Sequence, residues 1–216
     1  MLVTVLVAAS ALVALGVAVR VVVVHSLDST NLVWNLVLAW VPFVVALVLY
    51  DGVRRGARTG TLVALGAAWL VFLPNAPYIV TDFKWLGEYA GGARPYDAVL
   101  IGTAAAIGLV LGFVSVYLVQ VVVARRVGHV AGWALAWVAL VLSGVGVYLG
   151  RFQRWNSWDI LTEPTKVVGQ LLSAALDPLA HGRPIALSTA FAVTWCLGYA
   201  LFYSTFHVQL RQLHDR

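Results

Sequence analysis

Six uninterrupted apolar runs divide this chain, and each approaches the ~20 residues that an α-helix needs to cross the hydrocarbon core of a bilayer. Only 11% of the residues are charged, whereas a soluble domain carries about 25%, so the runs cannot all be buried inside a water-soluble fold. The runs are continuous rather than alternating, which argues against transmembrane strands. The sequence therefore predicts an all-α, polytopic membrane helical bundle that forms a single domain over residues 1–216. We expect about six transmembrane helices, at roughly residues 2–24, 31–50, 59–74, 97–124, 130–150 and 185–208.

Basic residues gather at one end of these spans and predict the orientation of the chain. They follow span two, follow span four and occur in the C-terminal tail, where acidic residues are few. By the positive-inside rule these segments face the cytoplasm, so we expect the protein in the cell (inner) membrane with both termini cytoplasmic. The residues concerned are Arg54, Arg55, Arg58, Arg125, Arg126, Arg211 and Arg216.

One segment on the opposite side is amphipathic. Between Thr162 and Asp177, apolar residues recur at helical spacing, Thr162 can cap the start, and Asp177 precedes Pro178, which ends the pattern. At about fifteen residues the segment is too short to span a bilayer. It predicts either a helix lying in the membrane interface or a helix packed on the outer end of the bundle.

A first polar and aromatic cluster follows span three, where residues 72–86 read FLPNAPYIVTDFKWL. We expect Pro74 and Pro77 to end the helix and to stiffen the chain into an extended turn. Asn75, Tyr78 and Asp82 then bring polar groups to the outer edge of the membrane. The alternative is structural, with the polar residues capping helix ends and the aromatic residues anchoring the interface.

A second cluster follows span five, where residues 150–159 read GRFQRWNSWD. If the helix continues, one face carries two guanidinium groups, two indoles and a carboxylate. Arginine forks bind phosphate or carboxylate, and tryptophan faces suit cations or sugar rings. The alternative is an aromatic belt with an Arg154–Asp82 or Arg151–Asp159 salt bridge. The face comprises Arg151, Arg154, Trp155, Trp158 and Asp159.

Further polar residues lie at the same edge of the membrane. Asn31 and Asn35 begin span two, one turn apart, and Asp97 opens span four. Arg20 lies about one turn inside the outer end of span one, where we expect its side chain to reach outward along the helix. Since polar groups within a membrane need partners or a watery cavity, their convergence on one side predicts a functional end of the bundle.

Small residues predict close helix contacts in spans four and five. Gly108 and Gly112 form one G-x-x-x-G pair, and Gly146 and Gly150 form another. In lipid, such faces allow helix backbones to approach each other.

Several chemistries have no support in the sequence. It contains no metalloprotease, serine-hydrolase, P-loop or dinucleotide-binding motif, and no basic module for nucleic acid. The five histidines are scattered over both sides, so we expect no metal site and no cofactor. The expected partners are membrane lipids.

The two clusters also carry a resemblance. The segments FLPNAPYIVTDF at 72–83 and GRFQRWNSWD at 150–159 resemble the signatures of an uncharacterised bacterial family of integral membrane proteins, which has only a domain-of-unknown-function label. The resemblance extends over roughly residues 25–210. It implies membrane residence and importance of the two motifs, and it implies no activity.

These observations favour an extracytoplasmic pocket that binds or processes an anionic or lipid-like ligand. We expect Arg151 and Arg154 to hold the anionic group, and Asp82 and Asp159 to act as acid/base or cation-holding carboxylates. A small transporter and a structural or assembly protein with a salt-bridged outer cap are the alternatives, and the sequence leaves open whether the protein is an enzyme. The other expected ligand-binding residues are Asn75, Tyr78, Asn156, Trp155, Trp158 and Asn35.

Overall fold

The computed structural model describes residues 1–86, 94–155 and 182–214, together with positions 162, 163, 165, 166 and 169. This part of the chain is helical and contains no strand. A 3₁₀ helix, Ile79–Trp85, directly follows the fourth α-helix. The α-helices are α1 (Leu2–Val24), α2 (Thr30–Arg54), α3 (Thr59–Phe72), α4 (Asn75–Tyr78), α5 (Arg94–Val127), α6 (His129–Phe152) and α7 (Gly182–His214).

Six helical segments are long and apolar enough to cross a membrane, which confirms the predicted all-α bundle and makes the chain a multi-pass membrane protein. The third segment combines α3, α4 and the 3₁₀ helix, so it is longer than the predicted span at 59–74. The predicted interfacial helix at 162–177 lies largely outside the described residues. The six segments are Leu2–Val24, Thr30–Arg54, Thr59–Trp85, Pro95–Val127, His129–Phe152 and Ile185–Thr205.

The expected extended turn at Pro74 and Pro77 is wrong, because the chain stays helical there. Pro74 has φ −58° and ψ −24°, and its carbonyl accepts a hydrogen bond of 3.1 Å from the amide of Tyr78. Proline holds φ near −65°, which suits the first turn of a helix, where no amide donor is needed. The two prolines therefore start a new short helix, and the chain continues from it into the 3₁₀ helix.

The G-x-x-x-G glycines of α5 and α6 allow close packing around this short helix, as the sequence predicts. A Cβ atom at Gly108 would lie 2.4 Å from the carbonyl oxygen of Ala76, and one at Gly112 would lie 3.1 Å from the Ala76 Cβ. On the other side, a Cβ at Gly146 would lie 2.4 Å from Cγ of Pro74. Larger residues at these glycines would push α4 away from its two neighbours.

α5 is the central helix of the bundle. It contacts α1, α2, α4, the 3₁₀ helix, α6 and α7, and it is the most buried of the six spans. One apolar cluster joins it to α1 and α2 around Phe43 and Ile101. A second cluster joins it to α3, α6 and α7 around Trp69 and Tyr199. Since so many elements pack on α5, it fixes the relative positions of the helix ends that carry the polar clusters.

Candidate functional site

Polar residues from five spans meet at one end of the bundle. This end is formed by the last turns of α1 and α6, the first turns of α2 and α5, and the 3₁₀ helix. We define the polar end by Arg20, Asn35, Asp82, Asp97 and Arg151, all of which have polar contacts there. Within the described part of the chain these contacts form two groups, Arg20 with Asp97, and Asp82 with Asn35 and Arg151.

Asp82 is the centre of the polar end and joins three spans. Its side chain projects from the 3₁₀ helix and is only 2% exposed. One carboxylate oxygen accepts a 2.7 Å hydrogen bond from Nδ2 of Asn35 in α2. The other lies 3.3 Å from Nη1 of Arg151 in α6. Both oxygens are thus engaged by groups from separate helices.

Arg151 connects the two sequence clusters through an ion pair that differs from the two considered in the structural alternative. Its partner is Asp82, which the alternative paired with Arg154, and Asp159 lies outside the described residues. The guanidinium also donates to the Tyr78 hydroxyl at 3.3 Å and to the carbonyl of Thr81. Its Nε is buried and has no hydrogen-bond partner among the described residues.

Gly150 explains why the guanidinium of the next residue can reach Tyr78. A Cβ at Gly150 would lie 3.2 Å from the Tyr78 ring, so glycine lets the end of α6 approach that ring. The Arg151 guanidinium carbon lies 5.4 Å from the centroid of the same ring. This distance is within the range of a cation–π contact.

Trp85 contacts a second cation, Lys84, which is not among the site residues predicted from the sequence. The ring centroid lies 4.3 Å from Nζ of Lys84 and 5.6 Å from the guanidinium carbon of Arg151. Lys84 is exposed, whereas Arg151 is buried. The signal in the sequence was a lysine two residues after Asp82 in an otherwise apolar and aromatic stretch.

The sequence suggested that α6 continues and carries Arg154 and Trp155 on the same face as Arg151. The helix instead ends at Phe152, so these two residues do not continue that face. Arg154 has φ +59°, a left-handed conformation that turns the chain away from the helix axis, and its side chain is exposed. The amide of Trp155 donates to the carbonyl of Leu149 at 3.3 Å. Asn156, Trp158 and Asp159 lie outside the described residues.

Arg20 and Asp97 form a second buried ion pair, between α1 and α5. The two side chains are 1% and 2% exposed, and they make two hydrogen bonds, of which Nη2 to Oδ2 measures 3.2 Å. The expectation that Arg20 reaches outward along the helix is therefore wrong. A carboxylate inside the bundle solvates the guanidinium where lipid cannot, so the side chain turns inward.

Asn75 makes a local contact in the described structure. Its Nδ2 donates a 3.0 Å hydrogen bond to the carbonyl of Phe72, one of the last carbonyls of α3. This contact fits the structural alternative, in which Asn75 caps the end of a helix. A role of Asn75 in ligand binding stays a prediction.

The charges around Asp82 are unbalanced. Arg20 and Asp97 neutralise each other, whereas Asp82 is the single described carboxylate that interacts with both Lys84 and Arg151. Among the described positions, no three side chains that could ligate a metal ion lie together. The site thus offers positive charge, indole and phenol faces, and two carboxylates already paired with guanidinium groups.

Comparison with known proteins identifies a family. A family model described as "Protein of unknown function (DUF1361)" matches residues 34–197, a range that includes both polar-aromatic clusters and more than half of the chain. No curated protein and no solved structure matches.

Proposed function

Because this chain belongs to the DUF1361 family, whose function is unknown, we propose a function from its own geometry: the polar end binds an anionic group. The ligand class that fits is the phosphate-bearing head of a lipid or lipid-linked compound. Because the chain spans the membrane, such a ligand can diffuse within the bilayer to the site, and its apolar part stays in the bilayer.

The excess of positive charge at Trp85 is the observation that carries this proposal. Lys84 and Arg151 both lie against the Trp85 ring, and Asp82 is the single described carboxylate in contact with either of them. Two cations against one ring repel each other, and an oxyanion that contacts both would relieve that repulsion. Guanidinium and ammonium groups are the side chains that proteins use to hold phosphate.

The residues of the site take different roles in this proposal. Lys84 and Arg154 are exposed and make the first contact with the anion. Arg151 lies deeper, and Asp82 and Asn35 hold its guanidinium in position, because both oxygens of Asp82 are already engaged. We keep acid/base catalysis by Asp82 and Asp159 as a prediction. The further ligand contacts that we retain are those of Tyr78, Asn75, Trp155, Trp158 and Asn156.

We place this site on the extracytoplasmic face of the cell membrane. The opposite end of the bundle carries the basic residues of the α2–α3 connection and of the end of α5. Lysine and arginine favour cytoplasmic loops, which supports a cytoplasmic location for that end and for both termini. The basic residues concerned are Arg54, Arg55, Arg58, Arg125 and Arg126.

A structural cap is the second candidate, and one observation favours it. Asp82 is 2% exposed and is saturated by side chains from α2 and α6, so the pair could serve only to hold three spans together. The two candidates differ in what happens when the exposed cations are removed, because those cations do not take part in the buried contacts.

Native mass spectrometry in nanodiscs that contain phosphatidylglycerol tests the proposal. The wild type should retain phosphatidylglycerol, and the Lys84→Gln/Arg154→Gln variant should lose most of it while keeping its helical circular dichroism spectrum. The matched control is Arg54→Gln/Arg126→Gln, which removes the same charge from the opposite end and should retain the lipid. Equal retention by all three proteins would count against the site and in favour of the structural cap.

A further inference from the structure

An apolar groove lies between α1 and α2, in the halves of these helices that lead to the polar end. It has a volume of about 590 Å³. Val17 of α1 lies at its floor and is 3% exposed, whereas Trp34 and Val37 of α2 are 55% and 52% exposed, so the groove opens towards the outside of the bundle. None of the residues that define the polar end lines this groove.

Small side chains on α1 explain why the groove is not filled by the protein itself. Deeper in the membrane the two helices are joined, because Nε1 of Trp40 donates a 3.1 Å hydrogen bond to Oγ of Ser10. Beyond that contact, towards the polar end, Ala14 and Ala18 line the groove one turn apart. Two methyl groups thus occupy positions where longer side chains would close the space between the helices.

The groove has about the depth of one leaflet. On α1 it extends from Ala14 to Val22, about 12 Å at a rise of about 1.5 Å per residue. On α2 it extends from Thr30, the first residue of the helix, to Val37, which is about 10 Å. Half of the hydrocarbon core is about 15 Å thick, so the groove starts at the membrane surface and ends within the same leaflet.

The chemistry of the lining suits hydrocarbon. The hydroxyl of Thr30 already donates to the carbonyl of Leu27 at 2.7 Å, and the other lining side chains are alanine, valine and tryptophan. Apolar cavities are not hydrated. An empty groove would forfeit the dispersion contacts of both walls. The occupant is therefore an apolar group that the bilayer supplies.

The width of the groove selects among such groups. Its volume, spread over about 12 Å, gives a cross-section of roughly 50 Å², whereas an α-helix about 10–12 Å in diameter fills roughly 80–110 Å². A helix of a second protein is thus too wide, and the chain of a lipid is thin enough. Trp34 fits a lipid as well, because tryptophan near a helix end lies at the level of the head groups.

We infer that this groove binds one acyl chain of a phospholipid from the leaflet at the polar end. The chain lies along Ala14 and Ala18, with its methyl end towards the contact between Ser10 and Trp40. The lining carries no charge, so the groove does not select a particular head group. The site is separate from Lys84 and Arg151, and it holds whether or not the polar end binds an anion.

A crystal structure of the full chain, grown with phosphatidylcholine brominated on its acyl chains, tests this inference. We expect anomalous bromine peaks in the groove, between Ala18 and Trp34. The Ala14→Leu/Ala18→Leu variant, which fills the groove, should lose these peaks. The matched control is Ala8→Leu/Ala11→Leu, which adds the same side-chain volume at exposed positions of α1 outside the groove and should keep them.

The wild type alone can overturn the inference. A groove without bromine peaks, or one occupied by a helix of a second copy, would do so, and so would peaks that persist in Ala14→Leu/Ala18→Leu. The Lys84→Gln/Arg154→Gln variant should keep the bromine peaks, because the groove does not involve these cations. Its behaviour therefore separates a failure of the groove from a failure of the proposed anion site.

Discussion

Nδ2 of Asn35 donates a 2.7 Å hydrogen bond to Asp82, which lies 47 residues later in the chain. Arg151 engages the other oxygen of the same carboxylate. One side chain of the 3₁₀ helix is therefore held from α2 and α6 at once. The amide and the guanidinium are complementary, because each engages a different oxygen of the carboxylate.

The Asn35→Ala variant should lose about 1–3 kcal/mol of unfolding free energy, since it leaves a buried carboxylate oxygen without a donor. Denaturant unfolding in detergent, followed by circular dichroism, measures the change. Asn31→Ala is the matched control, because Asn31 lies one turn earlier on α2 and is exposed. If the two variants unfolded alike, the hydrogen bond would have no role in stability.

The Asp97→Asn variant should be destabilised by about 3–5 kcal/mol, because it leaves the Arg20 guanidinium buried opposite a neutral group. Asp51→Asn breaks an exposed pair with Arg55 and should cost no more than about 1 kcal/mol. The double variant Arg20→Met/Asp97→Leu, which removes both charges, should recover most of the stability in the same unfolding assay. A double variant as unstable as Asp97→Asn would show that the helices need the charges themselves.

The Gly108→Ala variant should be destabilised, because its Cβ would lie 2.4 Å from the backbone carbonyl of Ala76 and would force α4 away from α5. Gly60→Ala provides the control, because Gly60 also lies in a helix but a Cβ at this position would meet no atom within 4 Å. There alanine should be neutral or should stabilise by up to about 1 kcal/mol through its better helix propensity. Thermal unfolding in detergent compares the two, and a tolerated Gly108→Ala would contradict the close packing.

A membrane-impermeant maleimide tests the orientation in intact cells. In a Cys196→Ala background, a cysteine at Gln153 should be labelled, and a cysteine at Arg55 should be labelled only after the membrane is opened. Both positions are exposed and lie at opposite ends of the bundle. The reverse labelling pattern would place the polar end in the cytoplasm.

Span number and fold class could be predicted from the sequence because the thickness of the bilayer fixes the length of each apolar run. The convergence of Asn35, Asp82 and Arg151 on one end also follows from the alternating direction of the spans. Which arginine meets which aspartate could not be predicted, because it depends on how far each helix is rotated about its own axis. A rotation of one residue, about 100°, exchanges a side chain that faces lipid for one that faces the bundle.

The sequence-based predictions that were wrong or incomplete each have a physical reason. Pro74 and Pro77 suggested an end to regular structure, but their backbone angles suit a helix start as well as a turn. Arg20 was assigned to the interface because arginine is long enough to reach it, and a sequence does not show that Asp97, 77 residues later, supplies a closer partner. Lys84 was overlooked because a lone lysine beside tryptophan also fits an interface anchor.

The long separation within the buried ion pairs has a consequence for biosynthesis. Arg20 is translated 77 residues before Asp97, and Thr81 of the 3₁₀ helix is translated 70 residues before Arg151. During that interval Arg20 and Asp82 lack the oppositely charged side chains with which they pair in the folded bundle. The contacts of the polar end can therefore be complete only after α6 has been made, and a chain interrupted before Arg151 leaves the Asp82 carboxylate without its cation.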